Sequence, residues 1–267
     1  MDATPRPETT FEVQGELWGR APSDWAEVQE NFSVPLWEAM LGATRVREAT
    51  SFLDAGCGAG GASVLARQRG ASVSGLDASE PLLDLARRRV PDGDFRVGDL
   101  EALPFADEVF DAVIAASSIQ YAGDPTAALR ELSRVATPDG RIAVGLFSSR
   151  AKVEYRVVLD AIREALPEPP GGGGPFALSQ PSKLEGLIAD AGMTVIDVGE
   201  TACPFTFSDM DAFWRGCIAA GPVQAALDVV EEADLRQRVE SAAARYQRTD
   251  GSIRFEVAFR YVSATNR

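Results

Sequence analysis

The sequence predicts a doubly wound α/β fold, and three observations carry that prediction. Short apolar runs alternate with helix-length amphipathic stretches from residue 51 to about residue 147. The first run, Ser51–Ala55, carries Asp54 near its end and opens into a turn crowded with Gly56, Gly58, Gly60 and Gly61. A helix pattern then starts at Ala62. Strand, glycine turn and helix in that order leave free backbone N–H groups at a strand's C-terminal edge, where open α/β sheets bind nucleotide-like ligands.

Further strands are predicted over residues 72–76, 94–97, 110–115 and 141–147, and helices over 62–69, 81–90 and 125–136. Ser79 is placed to cap the second of these helices, with Pro81 in its first turn, and Asp124 caps the third ahead of Pro125. Upstream, residues 1–10 are rich in Pro and Thr and read as mobile. Helices follow over 24–31, capped by Ser23, and over 35–43. Downstream come a helix over 153–166, a Pro/Gly linker over 167–175 that permits a hinge, a helix over 182–191 and a strand over 194–198. An insertion then carries helices over 209–219 and 234–247, with a break at Gly221-Pro222. Alternation of Ile253, Phe255, Val257, Phe259 and Tyr261 predicts one half-buried strand over 252–262. The division expected is an N-terminal helical lid (1–48), a core (49–150), a cap segment with the linker (151–180), more core (181–201), a helical cap insertion (202–251) and a final core strand (252–267).

Composition narrows the function. The 267 residues carry a net charge of −14, which opposes a nucleic-acid or anionic-membrane partner. The only dense basic run, Arg87 to Arg89, falls at a helix end that favours cations anyway. No stretch reaches the ~20 apolar residues of a membrane span. The N-terminus lacks an apolar signal region, and three scattered cysteines make no disulfide framework, so a cytoplasmic location is expected. There is no histidine, which removes His triads, His metal sites and an imidazole base together.

Gly56, Gly58 and Gly61 also satisfy the G-x-G-x-x-G dinucleotide fingerprint, leaving a nicotinamide or flavin site and an S-adenosylmethionine (SAM) site as alternatives. A carboxylate at Asp54 would repel a pyrophosphate at this turn and attract the ammonium and sulfonium of SAM. Asp77 stands 19 residues after Gly58, at acid-to-ribose spacing. The stretch resembles motif I of the class I SAM-dependent methyltransferases, and the resemblance continues through Gly98-Asp99-Leu100, Leu103-Pro104-Phe105, Phe110 to Ile114 and Pro138 to Arg141. It is similar to small-molecule members, both the quinone-biosynthesis C-methylating group and bacterial natural-product enzymes. The resemblance implies a Rossmann-like seven-stranded methyltransferase sheet with an antiparallel last strand. It implies SAM as cofactor, S-adenosylhomocysteine as product and no metal. By the same resemblance the cofactor residues are Asp54, Gly56, Cys57, Gly58, Gly60, Asp77, Ala78, Gly98, Asp99, Leu100, Ala116 and Ser117, joined from the lid by Trp25 and Gln29.

Methyl transfer from a sulfonium asks chiefly that nucleophile and methyl be held at about 3–3.5 Å, aligned and dry, so a missing histidine is no obstacle. Gln120 and Tyr121, just past the fourth strand, are the expected reaction-centre residues. Tyr121 has a phenol that can orient or relay a proton, whereas Gln120 can only orient. Glu154, Asp209 and Asp211 are weaker acidic candidates from the cap. Trp37, Tyr155, Phe176, Phe213 and Trp214 are the expected substrate contacts, with Phe11, Phe205 and Phe207 beside them, suiting a flat apolar molecule or a core. The expected activity is methylation of a small, largely apolar metabolite at O, C or N by a monomer or homodimer. The alternatives are a nicotinamide-dependent oxidoreductase, which lacks a Tyr-x-x-x-Lys set here, and a SAM-binding regulatory or scaffold protein.

Overall fold

The computed structural model describes residues 9–166 and 174–266. Residues 167–173 of the expected linker lie outside them, as do residues 1–8 and 267. Five parallel strands and two later ones form a single sheet in the order β3-β2-β1-β4-β5-β9-β6. These strands are β1 (Ser51–Ala55), β2 (Ser72–Asp77), β3 (Asp94–Val97), β4 (Phe110–Ala116), β5 (Ala136–Phe147), β6 (Thr194–Ala202) and β9 (Ala258–Thr265). The last strand, β9, runs antiparallel to both β5 and β6. The expected seven-stranded sheet with an antiparallel final strand is therefore present.

Neighbouring residues on a strand face opposite sides, and the central strands are apolar on both. Phe52 and Ile114 join the core on one face, Leu53 and Val113 the core on the other. Helices α3 (Val34–Ala43), α4 (Gly61–Gln68) and α5 (Glu80–Arg89) supply the first core through Leu36, Met40, Ala66 and Leu83. Helices α6 (Pro125–Val135) and α8 (Lys183–Asp190) supply the second through Leu129, Leu132, Leu184 and Ile188. Ser79 caps α5 and Asp124 caps α6, as their positions predict.

The lid departs from expectation. Helix α1 (Thr10–Gly19) was not anticipated, although Thr9 and Glu12 form a reciprocal capping box at its start. The expected helix over 24–31 is a graded coil instead: α2 (Pro22–Asp24), a π turn (Trp25–Gln29) and a 3₁₀ turn (Glu30–Ser33). Ser23 lies inside it rather than capping it. A π turn has more than four residues per turn, so Trp25 and Gln29 come round to one face.

After β5 the chain adds α7 (Arg156–Ala165), β7 (Phe205–Phe207), α9 (Met210–Ile218), α10 (Gly221–Leu227), α11 (Glu232–Ala243) and β8 (Ile253–Phe255). Gly221-Pro222 is a helix start, with Pro222 in the first turn of the unanticipated α10. The run 252–262 is two strands, because β8 pairs with β7 in a separate ribbon before β9 enters the sheet. Alternation cannot mark that switch, since Phe255 and Phe259 are both buried on either side of it.

Candidate functional site

Five segments meet at the C-terminal edge of β1, β2 and β4. The turn after β1 bends through Gly56 at φ +81° and Gly58 at φ +54°. A Cβ on Gly56 would lie 2.3 Å from Ser118 Cβ, so only glycine lets the turn pass beneath the loop after β4. Ser118 Oγ donates to the Ala55 carbonyl at 2.8 Å and fixes that crossing. Asp77 ends β2 and accepts from Gly58 N at 2.8 Å and Ser79 N at 2.9 Å, tying the glycine turn to the next helix.

Asp54 is buried, and its Oδ2 accepts from Ser63 Oγ at 2.8 Å. Desolvation raises its carboxyl to about 7, helped by the charges of Glu30 and Asp77 and opposed by the Ser63 hydrogen bond. The unliganded carboxyl is thus ionised only in part at neutral pH, which qualifies the simple repulsion expected from sequence. Burial raises Asp77 too, against its backbone hydrogen bonds. Cys57 is buried and its thiol is pushed well above its usual range by desolvation, then by Asp54, so it acts as a small apolar wall.

One cavity runs from this acidic end to an aromatic chamber. Its cofactor end is lined by Asp54, Gly56, Cys57, Gly58, Asp77, Ala78, Gly98, Asp99, Leu100, Ala116 and Ser117, together with Trp25 and Gln29 from the π turn. Gly60, expected here, does not line it: a Cβ there would lie 2.9 Å from Ala86 Cβ, so it serves the packing of α4 against α5. Asp99 Oδ1 accepts from Glu101 N at 2.9 Å. Gln29 Nε2 donates to the Gly216 carbonyl at 2.9 Å, joining the lid to α9.

The rest of the lining includes Phe11, Trp18, Gln120 and Tyr121, Trp37 lying against Gly61, and a mutually packed aromatic wall of Phe147, Tyr155, Phe205 and Phe259. Trp18 packs edge-on against both Trp25 and Tyr121. Burial pushes the Tyr121 phenol well above its usual range. Tyr155 OH lies 3.4 Å from Cys217 Sγ. Gln120 is buried, and its Oε1 has no hydrogen-bond partner among the described residues.

Three expected substrate contacts, and Phe207 named beside them, lie elsewhere. Phe213 and Trp214 are core side chains of α9, Phe213 against Phe207 and Phe255. Trp214 Nε1 donates to Glu232 at 3.3 Å. Phe176 stacks on Phe147 behind the wall, under the Arg150 guanidinium. The acidic cap candidates are also occupied. Glu154 accepts from Glu256 N at 2.7 Å, Asp209 caps α9, and Asp211 pairs with Arg236.

Sequence reasoning missed Glu30 and α1. Glu30 is buried and accepts from Gly61 N at 3.0 Å while pairing with Arg89, which also donates to the carbonyls of Ala59 and Ala26. Desolvation holds its carboxyl above the usual range, the Arg89 contact opposing. Gly15 of α1 lies where a Cβ would sit 2.4 Å from the Ala78 carbonyl oxygen, so α1 closes directly over the end of β2. The Thr9/Glu12 capping box was the available signal for α1; Glu30 gave none.

No Lys or Arg lines the cavity among the described residues, whereas Glu30, Asp54, Asp77, Asp99 and Glu101 do. That donor set fits SAM, which brings an ammonium, a sulfonium and ribose hydroxyls, better than a pyrophosphate-bearing dinucleotide. Among the described residues no cluster of three or more Cys, Asp or Glu could hold a metal, and no helix is long and apolar enough to cross a membrane.

A family model described as a methyltransferase domain matches residues 53–144. The chain is 36% identical over 148 residues to a malonyl-[acyl-carrier protein] O-methyltransferase of Salmonella typhimurium, covering 54% of this chain and 57% of that protein. It is 39% identical over 116 residues to a demethylmenaquinone methyltransferase of Renibacterium salmoninarum, covering 43% and 49%. The chain thus spans about half the length of these curated relatives. A SAM-dependent methyltransferase from Thiobacillus denitrificans, solved with S-adenosyl-L-homocysteine, superposes with a TM-score of 0.58 at 20% identity, over 92% of this chain and 97% of that one. Residues 53–144 thus match a methyltransferase domain, and the chain shares the fold of a solved SAM-dependent methyltransferase.

Proposed function

We propose that this protein transfers a methyl group from SAM to a small, largely apolar metabolite. The observation that carries the reading is the single cavity whose acidic end, at β1 and β2, opens into an aromatic chamber. Bound there, SAM supplies a methyl group on a cationic sulfur that leaves as a neutral thioether. Asp54 takes the ammonium end, directly or through water, and Asp77 the ribose hydroxyls through lone pairs its backbone contacts leave free. Asp99 and Leu100 flank the adenine. Trp25 and Gln29 close the methionine end from the lid. The aromatic chamber excludes water and orients the acceptor, and its catalytic contribution is alignment rather than proton transfer.

The N-terminal segment and the 202–251 insertion act as one cap in this reading. Arg215 of α9 pairs with Asp24 and Glu27, and Arg20 pairs with Asp228 at 2.7 Å. The three cysteines, all free and buried, suit a reducing cytoplasmic compartment.

Calorimetric titration with S-adenosylhomocysteine and NADH tests the cofactor assignment. Saturable binding of the first and none of the second is expected; the reverse result overturns the assignment. The pH dependence has a defined sign. Binding the ligand's ammonium requires the Asp54 carboxylate, so affinity should fall about tenfold per pH unit below about 7, with a proton released on binding. It should flatten above 7 until the ligand's own amine loses its proton. Enthalpies measured in buffers of different ionisation heat count that proton, and Asp54→Asn should abolish both the proton release and the slope.

Tyr121→Phe is expected to leave S-adenosylhomocysteine affinity intact and to lower turnover by no more than about threefold, the scale of one modest hydrogen bond. The pH–rate profile should not move. A lost basic limb in the variant would assign the phenol to proton transfer.

A further inference from the structure

The relatives named above differ in what they methylate, and the chamber itself narrows the choice. Gln120 follows β4 in a 3₁₀ turn (Ile119–Tyr121), and its backbone carbonyl accepts from Gly174 N at 3.4 Å. Its side chain is only 3% exposed, lines the cavity, and leaves Oε1 unpaired among the described residues. Buried polar atoms are satisfied in the great majority of cases, so an acceptor left open inside an aromatic chamber marks a place for a donor that arrives with the ligand. One indole donor of the cavity is already committed, since Trp18 Nε1 donates to Gln14 Oε1 at 3.0 Å. Charge is the second, independent observation. Five carboxyl groups and no Lys or Arg line the cavity among the described residues, and the chain as a whole carries −14. An anionic acceptor such as a malonyl carboxylate would meet carboxyl groups and no cationic side chain, and a cationic one would face the sulfonium.

Resting on the methyltransferase reading above, we infer that the acceptor is an uncharged aromatic or similarly flat molecule bearing an O–H or N–H group, and that Gln120 Oε1 receives that hydrogen. Gln120 is thereby a specificity residue: a site built to accept a donor discriminates against analogues lacking one.

The test uses the full chain saturated with S-adenosylhomocysteine and three probes of one shape: 1-naphthol, 1-methoxynaphthalene and 1-naphthoate. Calorimetry should rank naphthol about tenfold tighter than the methyl ether, the scale of one satisfied buried hydrogen bond. Naphthoate should be the weakest. In Gln120→Leu the naphthol-to-ether ratio should fall below about twofold. An unchanged ratio in that variant, naphthoate as the tightest probe, or no naphthol binding overturns the inference. A ligand-free measurement stands beside it. Removing an unpaired buried amide should raise the melting temperature of Gln120→Leu by about 2–4 °C. A fall would make the amide structural and overturn the assignment. Affinity for S-adenosylhomocysteine, read separately, reports on the cofactor assignment alone.

Discussion

Gly56→Ala is expected to lose about 2–4 kcal/mol of stability, combining left-handed backbone strain with overpacking. Two causes act at once. The backbone at φ +81° is costly for any residue with a Cβ. The added carbon would also sit 2.3 Å from Ser118 Cβ and 2.8 Å from its Oγ, where neither the strand end nor the loop can retreat without breaking the Ser118–Ala55 hydrogen bond. Urea unfolding of the single variants and of Gly56→Ala/Ser118→Gly separates the causes. The double variant should recover about 1–2 kcal/mol through relief of the clash, and the strain should remain. Additive effects would show that the two residues do not compete for the same space.

Asp77→Ala should weaken S-adenosylhomocysteine binding by roughly 5–150-fold, the 1–3 kcal/mol typical of charge-assisted hydrogen bonds. The structure adds an indirect share, because the carboxylate also holds Gly58 N and Ser79 N in place. Without it the glycine turn and the start of α5 lose their common tether. Asp77→Asn keeps one acceptor and should fall between the wild type and the alanine variant. Calorimetric titration decides, with circular dichroism to confirm folding. Unchanged affinity in a folded Asp77→Ala would remove the residue from the site.

The glycine turn, the acids at 54 and 77 and the β4 exit were legible because each combines a backbone demand with a charge demand at fixed spacing. Positive φ at Gly56 and Gly58 leaves a compositional mark that packing does not imitate. Aromatic side chains leave no such mark. Tyr155 faces the cavity whereas Phe213 and Trp214 fill the cap core, and nothing in their spacing distinguishes a chamber wall from a core. Glu30 was illegible for a related reason. An acid in a short polar stretch reads as solvated, and its burial depends on Arg89, distant in sequence and itself part of a basic run that reads as surface. The 24–31 segment shows the limit of cap signals. Ser23 has the right chemistry, but Pro22 already occupies the first turn and the coil widens to bring Trp25 and Gln29 inward.

The order β5-β9-β6 also bears on how the chain is made. Strand β6 has a single neighbour in the sheet, and that neighbour is synthesised more than fifty residues later. Until β9 is made, β6 therefore has both edges open, with Ile196 and Val198 remaining exposed even in the finished fold. The β1-to-β5 half can close during translation, as sequential parallel units do, but the far side of the sheet must wait for β9 to slot in as a wedge. Synthesis of β9, rather than collapse of the β1-to-β5 half, is then the event that completes the sheet, and the interval before it is when this protein is most open to chaperones and to pairing with another unfinished copy.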